Sequence, residues 1–137
     1  MRIHIYRHGK TPGNAEKRYI GFTDQSLDLA YISDLNKVAA EPEVVYVTPL
    51  VRTQQTADIL FPNTRQVIVD GFKEMNFGIF ENKNYLELKD SAEYNDWIKN
   101  NCDAKIPNGE DKQGFCDRVV KAFKEEILPS NSEDVYI

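Results

Sequence analysis

An alternation constrains the fold most: short β-branched and aromatic runs, separated by stretches whose apolar residues recur at helical spacing. The runs are residues 2–6, Val44-Val45-Tyr46-Val47, residues 66–69 and Val135-Tyr136-Ile137, and each has the length and composition of a buried strand. Between them, residues 26–40 place Leu27, Leu29, Ile32, Leu35 and Val38 near helical spacing, with Pro42 closing the segment. A second helix is expected from Leu50 to Leu60, after Pro49, a residue favoured at helix starts. Residues 83–100 predict one or two short helices with Tyr94, Trp97 and Ile98 on a common face. Residues 111–127 are amphipathic through Phe115, Val119, Ala122, Phe123 and Ile127. Residues 72–81 have Gly and Asn punctuation without a period and predict an irregular excursion. This order predicts an α/β class fold, a three-layer α/β/α sandwich with a mostly parallel sheet. No internal repeat or linker interrupts it, so a single domain over residues 1–137 is expected.

Charge narrows the partners. The chain has a net charge of -5 and no Lys/Arg cluster, which argues against a nucleic-acid or membrane surface. Any anion site must therefore be built locally, against the overall field. No apolar run approaches the length of a membrane span. Met1-Arg2-Ile3-His4-Ile5-Tyr6 lacks the apolar core of a secretory signal. Cys102 and Cys116 are too few for a disulfide scaffold. A cytoplasmic protein with reduced cysteines is the expectation.

Chemistry gathers at two strand ends. Arg7-His8-Gly9-Lys10-Thr11 directly follows the first strand, with Asn14 beyond it. In open α/β sheets, ligands bind outside the carboxyl ends of the strands. Gly9 permits a sharp turn and close approach of the backbone. Arg7 offers a planar fork matched to phosphate oxygens, and neutral His8 offers a nucleophilic ring nitrogen. Asn14 could donate its amide to the same anion. Taken alone, a single histidine is more often a packed or surface residue than a catalyst. The second constellation, Thr48-Pro49-Leu50-Val51-Arg52-Thr53-Gln54-Gln55-Thr56-Ala57, follows the second strand and opens a helix. Arg52 then lies in the first turn, where the helix N-terminus also favours an anion. By itself Arg52 reads as a solvated helix arginine, and Thr56 and Ala57 read as packing residues. His4 is expected to be a packed or sheet-face residue, and Trp97 core or pocket wall. Asp58, Asp70 and Asp96 have no metal-ligand spacing, so no metal or other cofactor is expected.

Taken together, these segments resemble the histidine phosphatase (phosphoglycerate-mutase-like) family. Arg7-His8-Gly9-Lys10-Thr11 with Asn14 is similar to its RHG-x-T-x-x-N signature, and residues 46–57 resemble its S-S-P-L-x-R-A-x-Q-T-A segment. Residues 72–81 resemble L-x-E-x-x-F-G-x-W-E-G, and Pro107-Asn108-Gly109-Glu110 resembles the later P-x-G-E-S turn. The resemblance implies His8 as the nucleophile that becomes phosphohistidine. It implies Arg7 and Arg52 as phosphate clamps, Asn14 as a further phosphate contact, and Glu74 as general acid and then base. A glutamate that must hold a proton near neutral pH calls for partial burial.

The resemblance further implies hydrolysis of a small phosphomonoester. The subgroup most similar is the small α-ribazole phosphatases of cobalamin assembly, through Gly21-Phe22-Thr23-Asp24-Gln25-Ser26-Leu27 and the short link from Tyr85 to Gly109. The alternatives are mutase-type phosphoryl transfer on phosphoglycerate and phosphate binding without turnover. A homodimer stays open. Two departures stand out: Asp111 occupies a place usually held by Ser, and Asn82 one usually held by Gly. The family's second catalytic histidine follows its last conserved strand, whereas His4 and His8 are the only histidines here. The sequence-level expectation is thus a domain truncated at its C-terminal end, which binds phosphate better than it turns it over.

Overall fold

A computed structural model describes residues 1–36 and 38–137. Strand β1 (Arg2–His4) pairs in parallel with β4 (Asp134–Tyr136), and β2 (Val44–Val47) pairs in parallel with β3 (Arg65–Ile68). Arg2 is in register with Asp134, and Val44 with Arg65. The pairing of first and last strand is extended by Ile137 N–H donating to His4 O at 2.9 Å and Tyr6 N–H to Ile137 O at 2.8 Å. The expected α/β sandwich with parallel strands is the architecture found.

Helices α1 (Pro12–Ala15), α2 (Val51–Leu60), α3 (Tyr85–Leu88), α4 (Ala92–Lys99) and α5 (Lys112–Ala122) occupy the connections. Val45 and Val47 of β2 pack on Ala57 and Leu60 of α2 and on Phe61, forming one core cluster. Val135 of β4 joins Val69, Ala122 and Ile127 in a second. An aromatic cluster of Phe80, Tyr94 and Trp97 with Met75, Leu88 and Ile106 anchors the irregular 72–81 excursion to α4. Val45 and Val47 of β2 and Val135 of β4 are each 6% exposed or less, the inward-facing positions of strands whose burial alternates along the chain.

The helix expected over 26–40 is instead a short 3₁₀ turn, Leu29–Asp34, and residue 37 of that span lies outside the described residues. Backbone N–H groups before the turn are bonded elsewhere: Leu27 N–H to Gln55 Oε1 at 2.8 Å and Asp28 N–H to Lys10 O at 2.8 Å. Leu27 and Leu35, on either side of the turn, close on Gly9, where an added Cβ would lie 2.8 Å from Leu35 Cδ1 and 3.1 Å from Leu27 Cδ2. The leucines thus converge on a glycine rather than forming one helical face, and Leu29 is left 83% exposed. Ile98 also departs from expectation: Tyr94 and Trp97 are buried while Ile98, at the end of the same helix, is 45% exposed.

The two sequence departures have local explanations. Asp111 is the N-cap of α5, its Oδ1 accepting from Gly114 N–H at 2.7 Å, and Asp and Ser serve equally well there. Asn82 sits at φ 57°, the left-handed conformation that Gly favours and Asn tolerates.

Candidate active site

The carboxyl ends of three parallel strands meet at one cavity. Residues 7–9 follow β1, residues 48–52 follow β2, and a 3₁₀ turn at Asp70–Phe72 leads from β3 to Glu74. Arg7, His8, Arg52 and Glu74 all line this cavity of about 540 Å³, with Tyr46, Leu50, Phe61, Phe72 and Phe115 among its apolar walls.

His8 is half-buried. Its Nδ1 lies 2.7 Å from Gly9 O. A carbonyl only accepts, so in the neutral ring the proton sits on Nδ1 and Nε2 keeps its lone pair. Burial holds the His8 pKa below the usual imidazole value, the Gly9 carbonyl opposes this, Arg52 and Arg7 lower it further, and Glu74 pulls it back up. The neutral, nucleophilic form is therefore favoured. Gly9 is itself pinned: its N–H donates to Thr56 Oγ1 at 2.9 Å, and that hydroxyl donates to Arg52 O at 2.6 Å. Thr56 thus couples the two motifs, a role beyond the packing expected for it.

Arg52 is not the solvated arginine that its segment suggests in isolation, being 1% exposed. Its Nη1 donates to Thr23 O at 2.9 Å and its Nη2 to Gly21 O at 2.7 Å. Its Nε is buried with no hydrogen-bond partner. Burial lowers the Arg52 pKa, opposed by Asp24, Glu74 and Glu81. The carbonyls that hold Arg52 belong to a loop organised by Glu81, which sequence reasoning left without a role. The Glu81 carboxylate accepts from the N–H groups of Gly21, Phe22, Thr23 and Phe77 and from Thr23 Oγ1. Burial pushes its pKa up, but the Thr23 hydroxyl and the N–H groups of Phe22, Phe77 and Gly21 outweigh this and leave it below the usual range.

Glu74 was expected to be partly buried and is exposed, its Oε1 accepting from Met75 N–H at 2.8 Å. The irregular segment carrying it presents the side chain at the open side of the cavity rather than within the core. Asn14 is not among the residues lining the cavity. Its Oδ1 accepts from Thr11 N–H and Thr11 Oγ1, both at 3.1 Å, in a capping box at the start of α1. His4 stands away on β1, with its Nε2 2.9 Å from Asp134 Oδ1 and its ring stacked on Tyr136 at 4.4 Å. No group of three or more His, Cys, Asp or Glu side chains suited to a metal ion occurs among the described residues. No described helix is long and apolar enough to cross a membrane.

Solved structures of similar shape include a putative alpha-ribazole-5'-P phosphatase from Escherichia coli K-12 MG1655, at a TM-score of 0.85 and 24% identity, with 99% of this chain and 71% of that one covered. The alpha-ribazole phosphatase of Shigella flexneri superposes with a TM-score of 0.83 and 26% identity, over 100% of this chain and 72% of that one. Among curated sequences, the probable phosphoglycerate mutase GpmB of Escherichia coli O1:K1 is 28% identical over 149 aligned positions, covering 100% of this chain and 68% of that protein. Residues 3–137 match the profile of the histidine phosphatase superfamily, branch 1. With its strands, its Arg-His-Gly turn and its second arginine arranged as described, the chain belongs to the histidine phosphatase superfamily.

Proposed function

We propose that the protein hydrolyses a small phosphomonoester through a phosphohistidine on His8. One observation carries this reading: an imidazole with its Nδ1 tied to Gly9 O lines the same cavity as Arg7, Arg52 and Glu74. The His8 Nε2 lone pair attacks phosphorus as the ester P–O bond breaks, and Glu74 gives its proton to the departing oxygen. The Glu74 carboxylate then takes a proton from water, the oxygen attacks phosphorus, and the N–P bond breaks to release orthophosphate. Arg7 and Arg52 hold the transferring oxygens, where phosphoryl transfer depends on positioning and charge stabilisation. The unpartnered Arg52 Nε is a buried donor that a phosphate oxygen would satisfy. Asn14 would turn its amide to the same anion once substrate is bound. No step calls for a cofactor.

Two substrates compete. The sequence relative named as a probable mutase favours phosphoglycerate, while the structural neighbours named as α-ribazole phosphatases favour α-ribazole 5'-phosphate. The cavity supports the second. Arg7 and Arg52 are the only Lys or Arg side chains lining it among the described residues. Both are engaged with the phosphate in this reading, which leaves no cation for the carboxylate of phosphoglycerate. The apolar walls suit a leaving alcohol with a flat, weakly charged body. We place the reaction in the cytoplasm, with a small phosphomonoester as the substrate.

Phosphate release from α-ribazole 5'-phosphate should exceed interconversion of 2- and 3-phosphoglycerate. The acid limb of kcat/KM should lie below the ordinary imidazole value of about 6.5, because burial and two arginines keep His8 neutral to lower pH. Mutase turnover dominating hydrolysis would overturn the substrate assignment. An acid limb above that value would contradict the environment assigned to His8.

A further inference from the structure

Glu74 rides on a segment without regular secondary structure, between the 3₁₀ turns at Asp70–Phe72 and Gly78–Phe80. Its placement must therefore come from contacts made by the neighbouring backbone, and these converge on one ion pair. Arg118, on α5, donates from Nη1 to Gly71 O at 2.9 Å and Lys73 O at 3.0 Å, and from Nη2 to Glu74 O at 3.3 Å. Its remaining donors go to Glu110: Nε to Oε1 at 2.8 Å and Nη2 to Oε2 at 2.7 Å. Glu110 holds the other side of the segment, its Oε2 accepting from Asn76 N–H at 2.9 Å and its own N–H donating to Asn76 O at 2.9 Å. Gly71 presses the same segment onto α5, with space for a Cβ only 2.4 Å from Ala122 Cβ.

The pair is well sheltered, with side-chain exposures of 23% for Arg118 and 22% for Glu110. The Phe115 and Phe22 rings lie 5.4 and 5.7 Å from the Arg118 guanidinium. Hydrogen bonding to Arg118 holds the Glu110 carboxyl below the usual range against the effect of burial, with the Asn76 N–H and the charges of Arg118 and Lys73 adding to it. A guanidinium suits this place because its planar fork can serve a carboxylate and several carbonyls at once, which an ammonium cannot.

We propose that Arg118 and Glu110 are a positioning pair that aims the Glu74 carboxyl at the leaving oxygen, an inference that rests on Glu74 being the general acid. Neither side chain touches substrate in this scheme. Their effect runs through the carbonyls of residues 71, 73 and 74 and the amide of Asn76. Misplacing a catalytic group by about 1 Å costs about 10²-fold.

A general acid matters only when the leaving oxygen needs a proton, and that supplies the test. The quantity to measure is kcat/KM, which covers steps up to phosphoryl transfer onto His8, for p-nitrophenyl phosphate and for glycerol phosphate. The nitrophenolate leaves without a proton, whereas the glycerol alkoxide does not. Glu74→Gln should lose roughly 10²–10⁴-fold on glycerol phosphate and only a few-fold on the nitrophenyl ester. Arg118→Lys should show the same selectivity, with about 10²-fold lost on glycerol phosphate. Glu110→Gln should lose in the same direction but less, since its amide oxygen still accepts from Asn76. A parental kcat/KM for the nitrophenyl ester in the Arg118 and Glu110 variants reports that each is folded with its phosphate site intact. Equal loss of both esters in Glu74→Gln would remove Glu74 as the acid. Selective loss in Glu74→Gln, with equal or no loss in the Arg118 and Glu110 variants, would overturn the positioning pair alone.

Discussion

Thr56 is 4% exposed and lies on the face of α2 turned toward the Arg-His-Gly turn, where its hydroxyl takes the Gly9 N–H. Valine has the same shape but no acceptor. Thr56→Val should therefore leave a buried N–H unpaired and cost about 1–3 kcal/mol, measurable as a lower urea midpoint at unchanged m-value, while Thr56→Ser stays near the parent. A valine variant of parental stability would show that Gly9 does not depend on this bond. Its sequence signal was weak because the partner lies 47 residues away. The same holds for Glu81, whose loop partners are about 60 residues distant, and for Arg118, which reads only as a polar position on an amphipathic helix. Arg7, His8, Arg52 and Glu74 were legible because each lies in a stretch that resembles a family motif, and a chain-local pattern carries that information. The exposure of Glu74 was not legible, since it depends on how an aperiodic segment is tethered.

Among the elements, those whose apolar periodicity agrees with their own caps form as expected. Helix α5 starts at the Asp111 cap, α4 at the Ser91 cap and α3 at the Asn84 capping box. Residues 26–40 failed because leucine spacing alone cannot say whether the leucines share one face or reach one point from two sides of a turn. Asp111 replaces serine with another strong N-cap, so Asp111→Ser should be near neutral and Asp111→Ala should cost about 1 kcal/mol, read from thermal unfolding. Indifference to alanine would mean that the start of α5 is held by the Glu110–Arg118 ion pair rather than by its cap.

At the scale of the molecule, parallel pairing of β1 with β4 and of β2 with β3 brings three strand ends to one cavity. This geometry unites motifs spread from residue 7 to residue 74, and it was foreseeable from the alternation of strands and helices. The framework around it is carried by carboxylates: Glu81 fixes the loop that holds Arg52, and Glu110 fixes the segment that bears Glu74. An acidic chain thus spends part of its negative charge internally, on backbone N–H groups and an arginine. The central claim is that His8 carries the phosphoryl group, and the Glu74→Gln variant tests it most directly. With p-nitrophenyl phosphate, transfer to His8 needs no acid, but hydrolysis of the intermediate needs the missing base, so the intermediate should accumulate. Mass spectrometry of the quenched variant should find one phosphoryl group on His8, stable in alkali and labile in acid. A variant that holds no phosphoryl group, or holds it on another residue, while the parent protein turns over the same ester, would contradict the account.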